Sequence, residues 1–402
     1  MDDDRISSLP NDILYHILSF LPTEDAFTSS LLSKRWSSLW LSVLNLNLND
    51  EVNGKPVSYF PNLVHTAIFK RNSDQPIKKL CLTIKQAPEI YDIEKWLNGA
   101  AERKLGHLEI QLFNIIPHKL LCCIFSLRNL VVLKLTKVLL STFSHSDLPS
   151  LKTLHLKDVD FRQRWFYFEL LNGCPILEDF EANGITLGNL LSSSPADRVR
   201  KCLPKLVRAS FSNISNYPFQ PFCSVQSLHF EEVKGCNDLF PIFDNLTQLE
   251  LSLDYSWKFI VKVLNNCPNL QKLDLDKVSE SKVLWTENDV SENWVDTNFV
   301  PRCLSLHLES CNLYNFFSGL KGELMLARYI LENAKVLQTM RVWNRARAQR
   351  KIKSELLSCP RASATCEIVV KNATQRTYVR KLDTTKPKRE IIKPFWHKDY
   401  IF

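Results

Sequence analysis

One spacing recurs along the chain: an apolar residue, two others, an apolar residue, one other, an apolar residue. It reads Ile77/Leu80/Leu82, Leu105/Leu108/Ile110, Leu130/Leu133/Leu135, Leu151/Leu154/Leu156 and Leu177/Phe180/Ala182. It continues through Leu206/Ala209/Phe211, Val225/Leu228/Phe230, Leu246/Leu249/Leu251, Leu270/Leu273/Leu275 and Cys303/Leu306/Leu308, with successive starts 19 to 33 residues apart. The last two apolar positions of each frame lie two apart, so each frame predicts a strand with its apolar side chains on one face. Between frames, stretches such as "FYFELLNGCPILEDF" and "KFIVKVLNNCPNLQKL" predict a helix ended at Asn-Gly or Asn-Asn, then a Cys-Pro turn into the next strand. One such unit cannot bury its own apolar face, whereas stacked units share a continuous core. Separate α/β domains that happened to share short leucine motifs would not produce ten copies.

The phase of the frames assigns the outward side chains. Early units present Lys79, Cys81, Thr83, His107, Glu109, Gln111, Lys134, Thr136, Thr153, His155 and Lys157. Late units present Glu231, Gln248, Glu250, Lys272, Asp274, Asp276, Ser305, His307 and Glu309. The face drifts from mildly basic to acidic. Candidate target contacts are therefore Lys134, His155, Lys157, Glu231, Glu250, Asp274, Asp276, His307 and Glu309, the acidic half suiting a basic segment of a target.

Ahead of the frames the period changes to that of a helix. Ile13, Leu14, Ile17, Leu18 and Leu21 form one broad stripe, started by Pro10 in the first turn, with Asp12 at the positive end of the dipole, and stopped by Pro22. Thr23 is a cap for a second helix with Ala26, Phe27, Leu31 and Leu32 on its apolar side, and "SKRWSSLW" offers a third turn carrying Trp36, Leu39 and Trp40. About forty residues cannot bury all these side chains among themselves. The stripe either packs on the following domain or docks a partner.

Beyond the frames, "SESKVLWTENDVSENWVDTN" lacks any period and reads as a long loop. "ELMLARYILENAKVL" predicts a helix through Leu324, Ala327, Ile330, Leu331, Ala334 and Leu337, and "SELLSCPRASATCEIVV" a helix, a Cys-Pro turn and a strand. Together these make one further, broken unit that closes the stack.

Composition narrows the class. Apolar content of 45% and charged content of 23% are those of a globular chain, and the longest apolar runs fall well short of the ~20 residues of a membrane span. The acidic start "MDDDR" is unlike a secretory signal, so a soluble intracellular protein is expected, cytoplasmic and/or nuclear. None of the twelve cysteines forms a Cys-x-x-Cys pair, so buried free thiols are expected rather than disulfides or metal ligands. The net charge of +8 is concentrated: 16 of 51 Lys+Arg but only 5 of 43 Asp+Glu lie in Arg341–Phe402. Arg345, Arg347, Arg350, Lys351 and Lys353 could touch phosphates, yet no recognition helix or aromatic platform accompanies them, so a solvated tail is the simpler reading. No phosphate loop, His-Glu-x-x-His or Gly-x-Ser-x-Gly is present, so no catalytic residue, metal or cofactor is expected.

The segment "DRISSLPNDILYHILSFLPTEDAFTSSLLSKRWSSLWLSV" resembles an F-box, with Leu9-Pro10, Ile13-Leu14, Ile17-Leu18, Phe20-Leu21-Pro22, Ser33-Lys34-Arg35-Trp36 and Leu39-Trp40 in the family's order. The repeats resemble the irregular leucine-rich repeats of plant F-box proteins. Val300-Pro301-x-Cys303-Leu304, Tyr329-Ile330-Leu331-Glu332-Asn333-Ala334 and Pro360-Arg361-x-Ser363 resemble the FBD domain of the same plant proteins. The resemblance implies that Leu9, Pro10, Ile13, Leu14, Ile17, Leu18 and Leu21, supported by Leu32 and Trp36, contact the Skp-type adaptor of an SCF (Skp–cullin–F-box) ubiquitin ligase and through it cullin. A protein target would lie on the repeat face. The expected architecture is α/β: a helical F-box over 1–45, an irregular leucine-rich-repeat solenoid over 46–297, an FBD region over 298–370 that closes it, and a basic tail over 371–402. The rival is a ligase-independent leucine-rich-repeat binding protein, in the nucleus or elsewhere, whose basic tail contacts nucleic acid.

Overall fold

The computed structural model of the chain describes residues 6, 8–50, 59–72, 74–85, 90–113, 123–140, 145–188, 202–215, 217–232, 240–252, 257–276, 300–315, 321–344 and 349–372. The long polar loop, Arg345, Arg347 and the tail beyond residue 372 lie outside them, as do the side chains of Arg350 and Lys351.

Thirteen strands form one sheet in strict chain order: β1 (Asn45–Asn49), β2 (Lys79–Ile84), β3 (His107–Leu112), β4 (Val132–Thr136), β6 (Thr153–Lys157), β8 (Asp179–Asn183) and β10 (Arg208–Ser212), then β11 (Ser227–Glu231), β12 (Gln248–Ser252), β13 (Lys272–Asp276), β14 (Ser310–Tyr314), β15 (Thr339–Asn344) and β16 (Glu367–Asn372). Every pairing is parallel. The three short strands β5 (Leu139–Leu140), β7 (Asp160–Phe161) and β9 (Thr186–Leu187) make a second small sheet. The register aligns the frames into unbroken inner rows. One runs Leu46, Leu80, Leu108, Leu133, Leu154, Phe180, Ala209, Leu228, Leu249, Leu273, Cys311, Met340 and Ile368, all buried. Where the leucines give way to Phe180/Ala182 and Ala209/Phe211, large and small side chains alternate across the ladder. The Phe211 ring then meets those of Phe222 at 4.9 Å and Phe219 at 5.1 Å, filling the core with aromatic contacts.

Nine of the ten expected strands fall where the frames place them; the tenth does not. Arg302–Leu306 is a helix, and Leu306 is exposed. The strand belongs to the overlapping frame Leu308/Cys311/Leu313, whose three side chains are all fully buried. His307 and Glu309 therefore precede β14 instead of lying on it, and Glu309 uses its backbone carbonyl to accept from Gln338 N–H at 2.8 Å. The C-terminal region also adds more than one broken unit. α9 (Lys321–Asn333) leads into β15 and α10 (Gln349–Ser358) into β16, and both strands join the main sheet.

The Cys-Pro turns acquire a physical reason. Cys174 and Cys359 each donate a thiol hydrogen bond to the carbonyl four residues earlier, Leu170 O and Glu355 O, both at 3.2 Å. The thiol closes the last helical turn while the following proline prevents another. Burial pushes the Cys174 thiol up to about 12, as befits an inert side chain. One expectation fails here: Cys202 and Cys223 are disulfide-bonded, with Cα atoms 6.0 Å apart. Their separation of 21 residues is close to the 19-residue offset between the paired strands that follow them, so stacking brings the approaches to adjacent strands together. The other eight described cysteines are free.

No described helix is long and apolar enough to cross a membrane. The N-terminal helices α1 (Asn11–Ser19), α2 (Thr23–Thr28) and α3 (Trp36–Leu39) share the core of the sheet, and α2 lies on edge strand β1. There the Asn47 backbone N–H donates to Thr23 Oγ1 at 2.8 Å, so a buried hydroxyl satisfies an edge group that no strand pairs.

The residue after a strand repeatedly turns left-handed: Lys137, Asp158, Gly184, Asn213 and Glu232 have φ between 48 and 62°. Each N–H then reaches the carbonyl that ends the next strand, at 2.7 to 3.2 Å. At Gly184 an added Cβ would stand 2.5 Å from Asp158 Oδ1 as well as being strained at φ +62°. Gly184→Ala is expected to lower unfolding stability by about 1–2 kcal/mol, read by denaturant titration; an unchanged midpoint would show that this corner does not constrain the ladder.

Candidate functional site

Two surfaces stand out, and each is built from its elements. The first is the N-terminal ridge. Its apolar stripe is two rows with different fates. Leu14 and Leu18 are 0% exposed and pack inward with Trp36, Leu39 and Trp40, whereas Ile13, Ile17 and Leu21 are 47, 39 and 40% exposed. Leu31 and Leu32, at 83 and 70%, and Phe20, at 74%, are open to water too. Residues 13 and 17 are neighbours on one side of α1, as are 14 and 18 on the other, so a helix this short presents one row to its own chain and one to solvent. Arg35 fixes the entry to α1. Its Nη2 donates to Leu9 O at 2.5 Å and to Asn11 Oδ1 at 2.7 Å. Leu9 is half-buried and Pro10 exposed at the same end. Of the expected adaptor contacts, Ile13, Ile17, Leu21, Leu32 and Pro10 are accessible. Leu14, Leu18 and Trp36 are instead used internally, because the helices need them to seal against one another.

The second surface is the outer face of the sheet. The register lines up Glu109, Lys134, His155, Glu181, Ser210, His229, Glu250, Asp274, Asn312 and Arg341 as its middle row. His155 is already engaged within the chain: Nε2 lies 3.3 Å from Asp179 and Nδ1 3.4 Å from Glu181. Burial alone would raise the Asp179 carboxyl, but hydrogen bonds from His155 and Arg208 outweigh it and hold the group below its ordinary value. Lys157 and Glu231 remain exposed and Lys134 half-buried.

Toward the C-terminal units the face is acidic. Glu250, Asp274 and Asp276 sit on two adjacent strands, in register with Asn312 and Tyr314 on the next. Asp274 is buried, accepts from Asn312 Nδ2 at 2.6 Å and lies 3.2 Å from Lys272 Nζ. It therefore shapes the surface more than it contacts solvent. Asp276 accepts from Asn315 Nδ2 at 2.7 Å. Beside this patch the rings of Tyr314 and Trp343 are stacked, with centroids 4.4 Å apart and planes 14° from parallel. Burial and then the charges of Asp274, Glu250 and Asp276 raise the Tyr314 hydroxyl well above its ordinary value, with Arg341 opposing. The frames beginning at Leu308 and Leu337 would have revealed both rings, since they place Tyr314 and Trp343 on the outward phase. His307 and Glu309, one strand-start earlier, do not share this face.

Comparison with known proteins defines the class. The F-box domain family matches residues 6–48, covering the whole ridge, and the FBD family matches residues 296–342, spanning α8 (Arg302–Leu306), β14, α9 and most of β15. The chain thus carries an F-box domain and an FBD domain. Its relatives combine the same two. An F-box/FBD/LRR-repeat protein of Arabidopsis thaliana is 29% identical over 387 residues, covering 84% of this chain and 91% of the relative. An FBD-associated F-box protein of the same plant is 29% identical over 440 residues, covering 91% and 99%, and a putative F-box/FBD/LRR-repeat protein is 28% identical over 447 residues, covering 91% and 97%.

Proposed function

We propose that this chain is a substrate-recognition subunit of an SCF ubiquitin ligase, acting in the cytoplasm, the nucleus or both. The observation that carries the reading is the outer row of α1. Ile13, Ile17 and Leu21 stay in water inside a segment that matches the F-box, while the row beside them is already buried in the chain. Covering side chains of this kind yields about 1.5–3 kcal/mol each when fully buried, and a Skp-type adaptor, itself bound to cullin, is the partner that an F-box implies. The parallel sheet is read as an irregular leucine-rich-repeat solenoid, supported by strict chain-order pairing and the repeated frame. The FBD region supplies its last units and its terminal cap. The chain performs no chemical step; it holds a target near the ubiquitin-charged subunits, making transfer effectively intramolecular.

The target reading centres on the acidic units. Asp276 adjoins Tyr314, and Glu250 and Glu231 follow on the strands beyond it, so acidic groups flank one side of the Tyr314–Trp343 pair, a combination that suits a Lys/Arg-bearing segment through complementary charge and cation–π contact. Lys134 and Lys157 would meet the target's other end, with His155 held between them by its acidic neighbours.

Two measurements check these assignments. Co-purified with a Skp-type adaptor, Ile13→Glu/Ile17→Glu is expected to lose adaptor capture by about 100-fold or more with thermal stability unchanged, because both side chains are already exposed; stoichiometric capture by this variant would contradict the ridge. On a peptide array, Glu231→Lys/Glu250→Lys/Asp276→Lys is expected to abolish salt-sensitive binding of Lys/Arg-rich peptides, and undiminished binding would remove the target face from the acidic units.

A further inference from the structure

The early end of the same sheet face holds a different chemistry. Cys81 on β2 is in register with Glu109 on β3, and His107 stands two residues before Glu109 on the same side. Cys81 Sγ lies 3.6 Å from Glu109 Oε2, and His107 Nε2 lies 3.8 Å from that oxygen. All three donor atoms fall within 4.8 Å of one another. The second distance is too long for a hydrogen bond, and His107 Nε2 is shut off from solvent with no hydrogen-bond partner. An orphaned ring nitrogen, a thiol and a carboxylate oxygen thus converge on one point.

The spacing is that of a coordination tetrahedron. Bonds of about 2.0–2.3 Å to N, O and S give donor–donor edges of about 3.3–3.8 Å, and two edges already match. The third, within 4.8 Å, would shorten on binding. From this convergence we infer that Cys81, His107 and Glu109 form a site for zinc or a similar borderline divalent cation, with a fourth position open to the outer face of the sheet. Binding replaces the thiol proton of Cys81 by the metal bond and releases it to solvent, while Glu109 enters as carboxylate and His107 as neutral imidazole. One thiolate and one carboxylate neutralise the dication. Lys79 and Lys134, the register neighbours of His107 and Glu109, then favour an anionic fourth ligand, such as hydroxide or a carboxylate offered by a bound protein. The metal would tie β2 to β3 by coordination in addition to the backbone ladder and the Cys81–Glu109 contact.

The test uses the purified full chain. After dialysis against Zn2+ it should retain one equivalent, and Co2+ in its place should give a thiolate-to-cobalt charge-transfer band in the near ultraviolet. Cys81→Ser should abolish that band, and His107→Ala and Glu109→Gln should each weaken binding at least tenfold. X-ray absorption of the zinc-loaded wild type, which requires no variant to fold, should show one sulfur and otherwise nitrogen or oxygen neighbours. No retained metal, a band that survives Cys81→Ser, or an all-sulfur shell would each overturn the site.

Discussion

An open parallel sheet cannot hide its first strand, and much of this molecule follows from how that end is covered. β1 has a neighbour on one side only. The chain lays α2 against it, satisfies its Asn47 N–H with the Thr23 hydroxyl, and buries Leu14, Leu18, Trp36, Leu39 and Trp40 in the same cluster as the leucine ladder. Doing so commits the inner side of a two-turn helix. The outer side, Ile13 and Ile17, with Leu21 just beyond the helix end, has no further layer of the described chain to meet. A covered edge and an uncovered ridge are thus one structural decision, and on the proposed function the ridge is where a partner would join without disturbing the core.

The ladder explains why this arrangement carries the rest of the chain with it. Each unit adds one strand to the last, so any unit's outward side chains are fixed relative to the F-box by register rather than by loops. The result is a long face with graded chemistry. The Cys81–His107–Glu109 cluster lies at the end nearest the F-box, followed by an internally neutralised stretch around His155, Asp179, Glu181 and Arg208, and then by the acidic units with the Tyr314–Trp343 stack. Side chains that look free in sequence are partly occupied with one another, as His155 and Asp274 show, so fewer are available to a target than a reading by phase alone suggests.

Most of the sheet was legible because inward leucines two apart survive as a pattern even when the intervening helices vary. The pattern also misleads where two frames overlap. Cys303/Leu306/Leu308 and Leu308/Cys311/Leu313 satisfy the same spacing, and the first falls on a helix that Pro301 begins. The choice of frame moved His307 and Glu309 off the face and hid Asn312 and Tyr314. Val43/Leu46/Leu48 and Leu337/Met340/Val342 fit as well, the one concealed beside the F-box and the other within a helix-like run. In α1 the helical period showed an apolar side but not which half of it the chain would claim, since that depends on where α3 packs. The Cys202–Cys223 pair was invisible because the two lie in the approaches to neighbouring strands, a proximity that exists only once the units are stacked.

The central claim is that the outer row of α1 is completed by a second polypeptide. Hydrogen–deuterium exchange of the full chain, alone and with a Skp-type adaptor, measures this directly. The account predicts strong new protection confined to residues 9–22 and the Leu31–Leu32 turn, with the sheet strands unchanged. Equal exchange of that helix in both samples, or protection appearing on β12–β14 instead, would contradict it.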